Sequence, residues 1–220
     1  MIGTIKHYAR PAFRRLLLSI EMRQDGRLNI NTSGSLEHQV ISNTDRNFYY
    51  EPTPYAALRK ISKAVKLTSQ DIICDLGCGK GRVLCWFARY PIKKCIGIDI
   101  DQELLRQSEI NANQMAGRLA PIEIKLQDAC EFDFTNVTIL LMFNPFGPEV
   151  MKLVLKRLND SIRQSPRPFK IVYINPRCLN LFAQYPEFRQ TRKLNYLFNL
   201  LPSADIVIIE NGGDTKISKT

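Results

Sequence analysis

The sequence predicts one doubly wound α/β domain, and three observations carry that expectation. From Asp71 onward, short apolar runs alternate with longer segments of helical periodicity, as βα units around a parallel sheet require. Several of the runs, such as Val137 to Phe143, are almost entirely apolar, which suits strands covered by helices on both faces. Between the first run and the helix after it lies a glycine-rich turn, Asp75-Leu76-Gly77-Cys78-Gly79-Lys80-Gly81-Arg82. A chain of 220 residues with 45% apolar content suits a single domain, large enough to remove roughly 70% of its unfolded surface from water.

The elements follow in order. A helix is expected over 11–22, then an irregular stretch over 26–44 rich in Asn, Ser and Thr. Arg14-Arg15-Leu16-Leu17-Leu18 is too short an apolar segment for a signal peptide and has no small-residue cleavage site after it. It reads as an amphipathic helix docked on the domain. Thr53-Pro54 supplies an N-cap and a proline at the first helical position, and Tyr55, Leu58, Ile61 and Val65 share one face of the helix that follows. Strands are expected over 72–75, 95–99, 122–127, 137–143 and 169–174, with helices over 81–89, 102–118, 148–162 and 178–184. In the helix over 148–162, Val150, Val154, Leu158 and Ile162 form an inward stripe. Two last runs, 188–194 and 204–210, are joined through Leu201-Pro202-Ser203 and read as an antiparallel closing pair. The expected organisation is an N-terminal helical extension over 1–48, the domain over 49–210 and a flexible tail over 211–220.

Composition narrows the class. Cys74, Cys78, Cys85, Cys95, Cys130 and Cys178 show no paired C-x-x-C spacing and sit mostly in apolar runs, so they read as free, buried thiols of a reducing cytoplasm. Cys74 and Cys78 lack the second ligand pair that a zinc site requires, and no metal is expected. No apolar stretch approaches the ~20 residues of a spanning helix. The formal charge is +10, and ten Lys or Arg fall between Met151 and Lys193 (Lys152, Lys156, Arg157, Arg163, Arg167, Lys170, Arg177, Arg189, Arg192, Lys193) against Asp160 and Glu187. Such a basic face over 152–193 suits nucleic acid, acidic protein or an anionic membrane, and equally an ordinary solvated surface.

The chemistry is written at the strand ends. Glycines after the first strand let the backbone turn sharply and approach a ligand closely. Asp75 precedes the first glycine, Asp99 closes the second strand in Gly97-Ile98-Asp99, and Asp128 closes the third in Gln127-Asp128-Ala129. Open α/β sheets bind ligands at such ends. A carboxylate at the second end can accept hydrogen bonds from both ribose hydroxyls of an adenosine, and one at the third can accept the adenine amine. A single such Asp is equally a turn or cap residue; the three in register with the glycine turn are what distinguish the pattern.

These segments resemble the motifs of the class I S-adenosylmethionine-dependent methyltransferases: DLGCGKG as the first, GID as the second, QDA as the third, and Phe143-Asn144-Pro145-Phe146-Gly147 in the place of the fourth. The resemblance spans about Tyr49 to Glu210. It implies a Rossmann-like, seven-stranded, mostly parallel sheet with one antiparallel strand, and S-adenosylmethionine as cofactor. It further implies Gly77, Cys78, Gly79 and Gly81, together with Asp75, beside the methionine moiety; Asp99 and Ile100 at the ribose; and Asp128 and Ala129 near the adenine. Tyr50-Glu51-Pro52-Thr53-Pro54-Tyr55 resembles the element that covers the methionine end, with Tyr55 against the cofactor and Tyr49 and Tyr50 beside it.

Amino-group methyltransferases of nucleic acids and of glutamine carry Asn or Asp, then Pro-Pro and an aromatic, in the fourth motif. Asn144-Pro145-Phe146 lacks one proline, so neither adenine nor glutamine specificity carries over. Asn144, Pro145 and Phe146 remain the catalytic candidates: Asn144 to meet the cofactor and orient an acceptor, Phe146 to wall the pocket. In-line methyl displacement needs alignment more than a strong base, and His7 and His38 both precede the core. The acceptor, whether protein side chain, nucleic acid or small molecule, is not specified. One alternative is a nicotinamide-dependent oxidoreductase, against which stand Arg82 at the third glycine position of G-x-G-x-x-G and the lack of a substantial catalytic domain after the nucleotide fold. The other is a non-catalytic protein that keeps the cofactor fold and grips RNA or acidic protein with its basic face.

Overall fold

A computed structural model describes residues 17–33, 50–196 and 205–211. Helix α1 covers 17–28. It is followed by α2 (Tyr55–Ala64), β1 (Ile72–Leu76), α3 (Arg82–Phe87), β2 (Lys94–Asp99), α4 (Gln102–Gln114), β3 (Ile122–Leu126), β4 (Ile139–Phe143), α5 (Pro148–Gln164), β5 (Lys170–Ile174), a 3-10 helix (Leu179–Gln184), β6 (Phe188–Asn195) and β7 (Asp205–Asn211). The seven strands form one sheet in the order β3-β2-β1-β4-β5-β7-β6. Strands β1 to β5 are parallel, and β7 runs antiparallel to both β5 and β6.

Period-two alternation divides the apolar strand residues between two cores. Ile73, Cys95, Ile139, Leu141, Val172 and Ile208 pack under α2, α3 and α4, whereas Cys74, Ile96, Leu140, Met142, Ile171 and Ile209 pack against α5 and the 3-10 helix. Helix α5 buries Val150, Met151, Val154, Leu155, Leu158 and Ile162. At about 1.5–3 kcal/mol for each such side chain, packing rather than helix propensity holds it in place. Helix α4 is capped by Asp101, whose carboxylate accepts from the amides of Glu103 and Leu104. Asp101→Ala should therefore lower stability by about 1 kcal/mol, read as a shift in the urea midpoint with unchanged slope.

Three expectations about helices are corrected. Helix α1 runs to residue 28, through Gly26 and into the stretch expected to be irregular. Its docked face is Glu21, Asp25 and Leu28, while Leu18, Ile20 and Met22 are exposed, the reverse of an apolar stripe turned inward. The cap of α2 is Pro54, with no side-chain hydrogen bond, rather than Thr53. Helix α4 stops at Gln114, where Met115 turns extended and Gly117 takes φ +72°.

The expected basic face is dispersed over both sides of the sheet. Lys152 pairs with Glu149 at 2.8 Å on α5, and Arg157 donates to Glu131 O. On the other side Lys170 and Arg192 reach the carbonyls of Val65 and Ala64 at the end of α2. Arg167 donates to the carbonyls of Val137, Phe134 and Ser165, and Lys193 pairs with Asp205. No helix among the described residues is long and apolar enough to cross a membrane. His7, His38, Tyr49 and the Leu201-Pro202-Ser203 junction lie outside the described residues.

Candidate active site

The strand order reverses between β1 and β4, the point at which an open parallel sheet leaves a crevice for a ligand. Two segments meet there. The turn after β1 brings Gly77 against the segment after β4, so close that a Cβ at Gly77 would lie 3.2 Å from Pro145 Cβ. Its amides at Gly77 and Cys78 both donate to Ile98 O of β2, at 2.9 and 3.0 Å. Gly97 of β2 makes this possible, because a Cβ there would run into Leu84 and the Cys78 side chain.

The three expected carboxylates stand at the ends of β1, β2 and β3, the three neighbouring strands on one side of the crevice. Asp75 is buried and accepts no hydrogen bond from a described residue; burial, with the Asp99 charge second, holds its pKa well above the usual carboxylate range. Asp99 accepts from Gly79 N at 2.9 Å and from Asp101 N at 3.0 Å. Burial raises its pKa as well, against those backbone bonds. Asp128 accepts from Cys130 N at 2.8 Å, and Ile100 next to Asp99 is 47% exposed although apolar. The cleft thus offers carboxyl oxygens, tightly turned backbone and the exposed apolar side chain of Ile100. That donor set fits a ligand carrying hydroxyls, an aromatic ring and positive charge.

Tyr55 is corrected. It is wholly buried, its hydroxyl donates to Asp25 Oδ1 at 2.6 Å, and the Arg82 guanidinium lies 4.6 Å above its ring. Its place over the turn is taken by Tyr50, whose ring touches Gly79 so closely that no Cβ would fit there. The Tyr50 hydroxyl donates to Thr32 O at 2.8 Å, and Lys80 Nζ donates to Ser33 O at 3.1 Å. Phe146, just beyond β4, is largely buried in the same apolar cluster as Val150 and Phe182. Asn144 stands at the end of β4 with φ +40°, and its Oδ1 accepts from the Tyr173 hydroxyl at 3.4 Å.

Arg82 was expected only as a departure from a glycine motif. It is 3% exposed, pairs with Glu21 and with Asp25, and donates to Thr32 Oγ1 at 2.6 Å and to Thr53 O. It ties α1 to the first residue after the glycine turn. The one sequence signal for it was the spacing of Glu21 and Asp25, one helical turn apart, which puts two carboxylates on one face.

A methyltransferase-domain family model matches residues 73–165. A protein-lysine N-methyltransferase of Saccharolobus islandicus (strain REY15A) is 31% identical over 132 residues, 58% of this chain and 81% of that protein. The chain belongs to the class I S-adenosylmethionine-dependent methyltransferases. This methyltransferase is also 27% identical, over 137 residues, to an H3 lysine-79-specific histone-lysine N-methyltransferase of Dictyostelium discoideum, of which it spans only 7%. Its fold matches the crystal structure of an RNA methyltransferase from Salinibacter ruber in complex with S-adenosyl-L-homocysteine. That match has a TM-score of 0.54 at 20% identity and covers 73% of this chain and 94% of that one. The enzyme uses S-adenosylmethionine, and the nicotinamide alternative falls with the family assignment.

Proposed function

We propose that this methyltransferase modifies the ε-amino nitrogen of lysine side chains in proteins, and that it works in the cytoplasm. The observation that carries the acceptor is the pair of lysine methyltransferases among its relatives, one of them matched over 81% of its length. The dispersal of the basic residues over both faces of the sheet favours a protein acceptor over a nucleic acid, which would need a continuous phosphate track. None of the six cysteines is in a disulfide, and burial raises the Cys85 pKa to about 12 and holds Cys74 and Cys78 well above the usual range. Thiols held in that form suit a reducing compartment.

In this reading Gly77, Cys78, Gly79 and Gly81 hold the methionine end through their backbone. Asp75 faces its positive charge, Asp99 and Ile100 take the ribose, and Asp128 and Ala129 take the adenine. Bound there, S-adenosylmethionine would supply a methyl group on a sulfonium, which an acceptor lone pair would take up to form the N–C bond as the C–S pair returned to sulfur. Asn144 and Pro145 meet the acceptor beside Gly77, and a lysine proton passes to solvent before attack. Lowering the ammonium's pKa by desolvation in the crevice removes the need for a dedicated base.

Labelled methyl transfer into a cell lysate tests this. Acid-precipitable label should disappear with protease, resist nuclease and appear as methyllysine after acid hydrolysis, with an Asp75→Ala control giving none. Nuclease-sensitive label would replace the reading with a nucleic-acid acceptor, and soluble label with a small molecule.

A further inference from the structure

The turn that ends β4 is repeated one strand further out. Asn144-Pro145 follows β4 and Asn175-Pro176 follows β5. Phe143 pairs with Ile174 in the parallel register, so the two asparagines occupy neighbouring positions, about 5 Å apart across the ladder. Both take left-handed backbones, φ +40° at Asn144 and φ +49° at Asn175. Asparagine is enriched in that region because its short polar side chain bonds locally, so conformation accounts for the residue type at both turns, and what each carboxamide does is read from its contacts.

The two differ in how their side chains are used. Asn144 is buried and in contact with the Tyr173 hydroxyl, which itself accepts from Cys178 N at 3.2 Å. Asn175 is only half-buried, and its carboxamide makes no hydrogen bond to a described residue. Its backbone is nevertheless fixed on both sides: its N–H donates to Asp205 O at 2.8 Å, and its carbonyl accepts from Arg177 N at 2.9 Å. A rigidly held turn therefore presents, at the strand ends, an amide side chain that no described residue engages. The carboxylates Asp75, Asp99 and Asp128 stand on the β1-β2-β3 side of Asn144, and Asn175 stands on the other. An acceptor must enter from the side that the cofactor does not fill.

We infer that Asn175 is an acceptor-binding residue, which with Asn144 forms a pair of neutral carboxamides around the attacking nitrogen. This rests on the amine-acceptor reading above and adds the group that aims the amine. A carboxamide oxygen accepts an N–H of the amine and so fixes where its lone pair points. Being uncharged, it does so without stabilising the ammonium form, as a carboxylate in its place would.

The test is Asn175→Gly. Glycine suits φ +49° better than asparagine does, so a purely structural Asn175 predicts a variant as stable and as active as the parent. Methyl transfer into lysate protein, scored as methyllysine, should instead fall about tenfold in kcat/KM. Affinity for S-adenosylhomocysteine, by calorimetry, should stay within about twofold. In the double variant with Asn144→Gly the losses should fall short of the product of the single losses, as two contacts to one atom require. Methyllysine formed by Asn175→Gly at the parental rate would overturn the inference and leave the lysine reading standing. A parent enzyme that labels oxygen or carbon acceptors would overturn both.

Discussion

Arg82→Met should lower stability by about 3–5 kcal/mol, the range for removing one partner of a buried ion pair. Arg82 is 3% exposed, and its two acidic partners, Glu21 and Asp25, are 19% and 5% exposed. Met leaves those carboxylates buried without a cation, together with Thr32 Oγ1 and Thr53 O stripped of their donor. For a chain of this length about 2–4 °C accompanies each kcal/mol, so the thermal midpoint should drop by about 6–20 °C. Glu21 gives the pH signature. Its pKa already lies above the usual value because burial outweighs the Arg82 charge, and losing Arg82 raises it further. A raised carboxylate pKa favours the folded state at low pH and disfavours it as pH climbs. The deficit of Arg82→Met should therefore be smallest near pH 4 and grow toward neutrality. Adding Glu21→Gln and Asp25→Asn should recover much of the loss. A midpoint within 2 °C of the parent would show that α1 is held by its apolar contacts instead.

What made the sheet legible was physical simplicity. β1, β4 and β5 are nearly continuous apolar runs because both their faces are covered, and a run of that kind between turn residues admits few other structures. The acids at the ends of β1, β2 and β3 were legible for the same reason, since their spacing follows from the strand and helix lengths between them. The end of the N-terminal helix is not legible in apolar periodicity, because the face of α1 that docks carries Glu21 and Asp25. Nothing local says that two carboxylates will find a buried arginine at position 82. Tyr55 illustrates the converse. Its neighbourhood to the motif in sequence suggested the cofactor, but the first turn of α2 aims it into the core, and Tyr50, just outside that helix, covers Gly79. The basic residues over 152–193 fall on α5 and on strands in which successive side chains point to opposite faces, so a charge count along the chain does not give the shape of a surface.

Asp99→Ala should weaken binding of S-adenosylhomocysteine by about 10- to 150-fold, or about 1.5–3 kcal/mol, the range for hydrogen bonds to a charged group. Two losses combine. The carboxylate proposed to take the ribose is gone, and so is the acceptor that holds Gly79 N at 2.9 Å and ties the glycine turn to the end of β2. The pH dependence separates a charge effect from a simple loss of shape. Burial raises the pKa of both Asp75 and Asp99, and the Asp99 charge further disfavours ionisation of Asp75. Without ligand, both groups take up protons more readily in the folded state than in the unfolded chain. Their contribution to stability is therefore present below about pH 4 and is lost as pH rises through the elevated folded values. A cationic ligand reverses the preference, because it favours the ionised carboxylates. Affinity for S-adenosylmethionine should accordingly rise with pH across that same window while the stability of the ligand-free protein falls. Asp75→Asn should flatten the rise without changing the contacts of Asp99. Calorimetric titrations at several pH values read both quantities: a folded Asp99→Ala with parental affinity would remove Asp99 from the cofactor site, and a pH-independent affinity in the parent would mean that neither carboxylate changes its charge when the ligand binds.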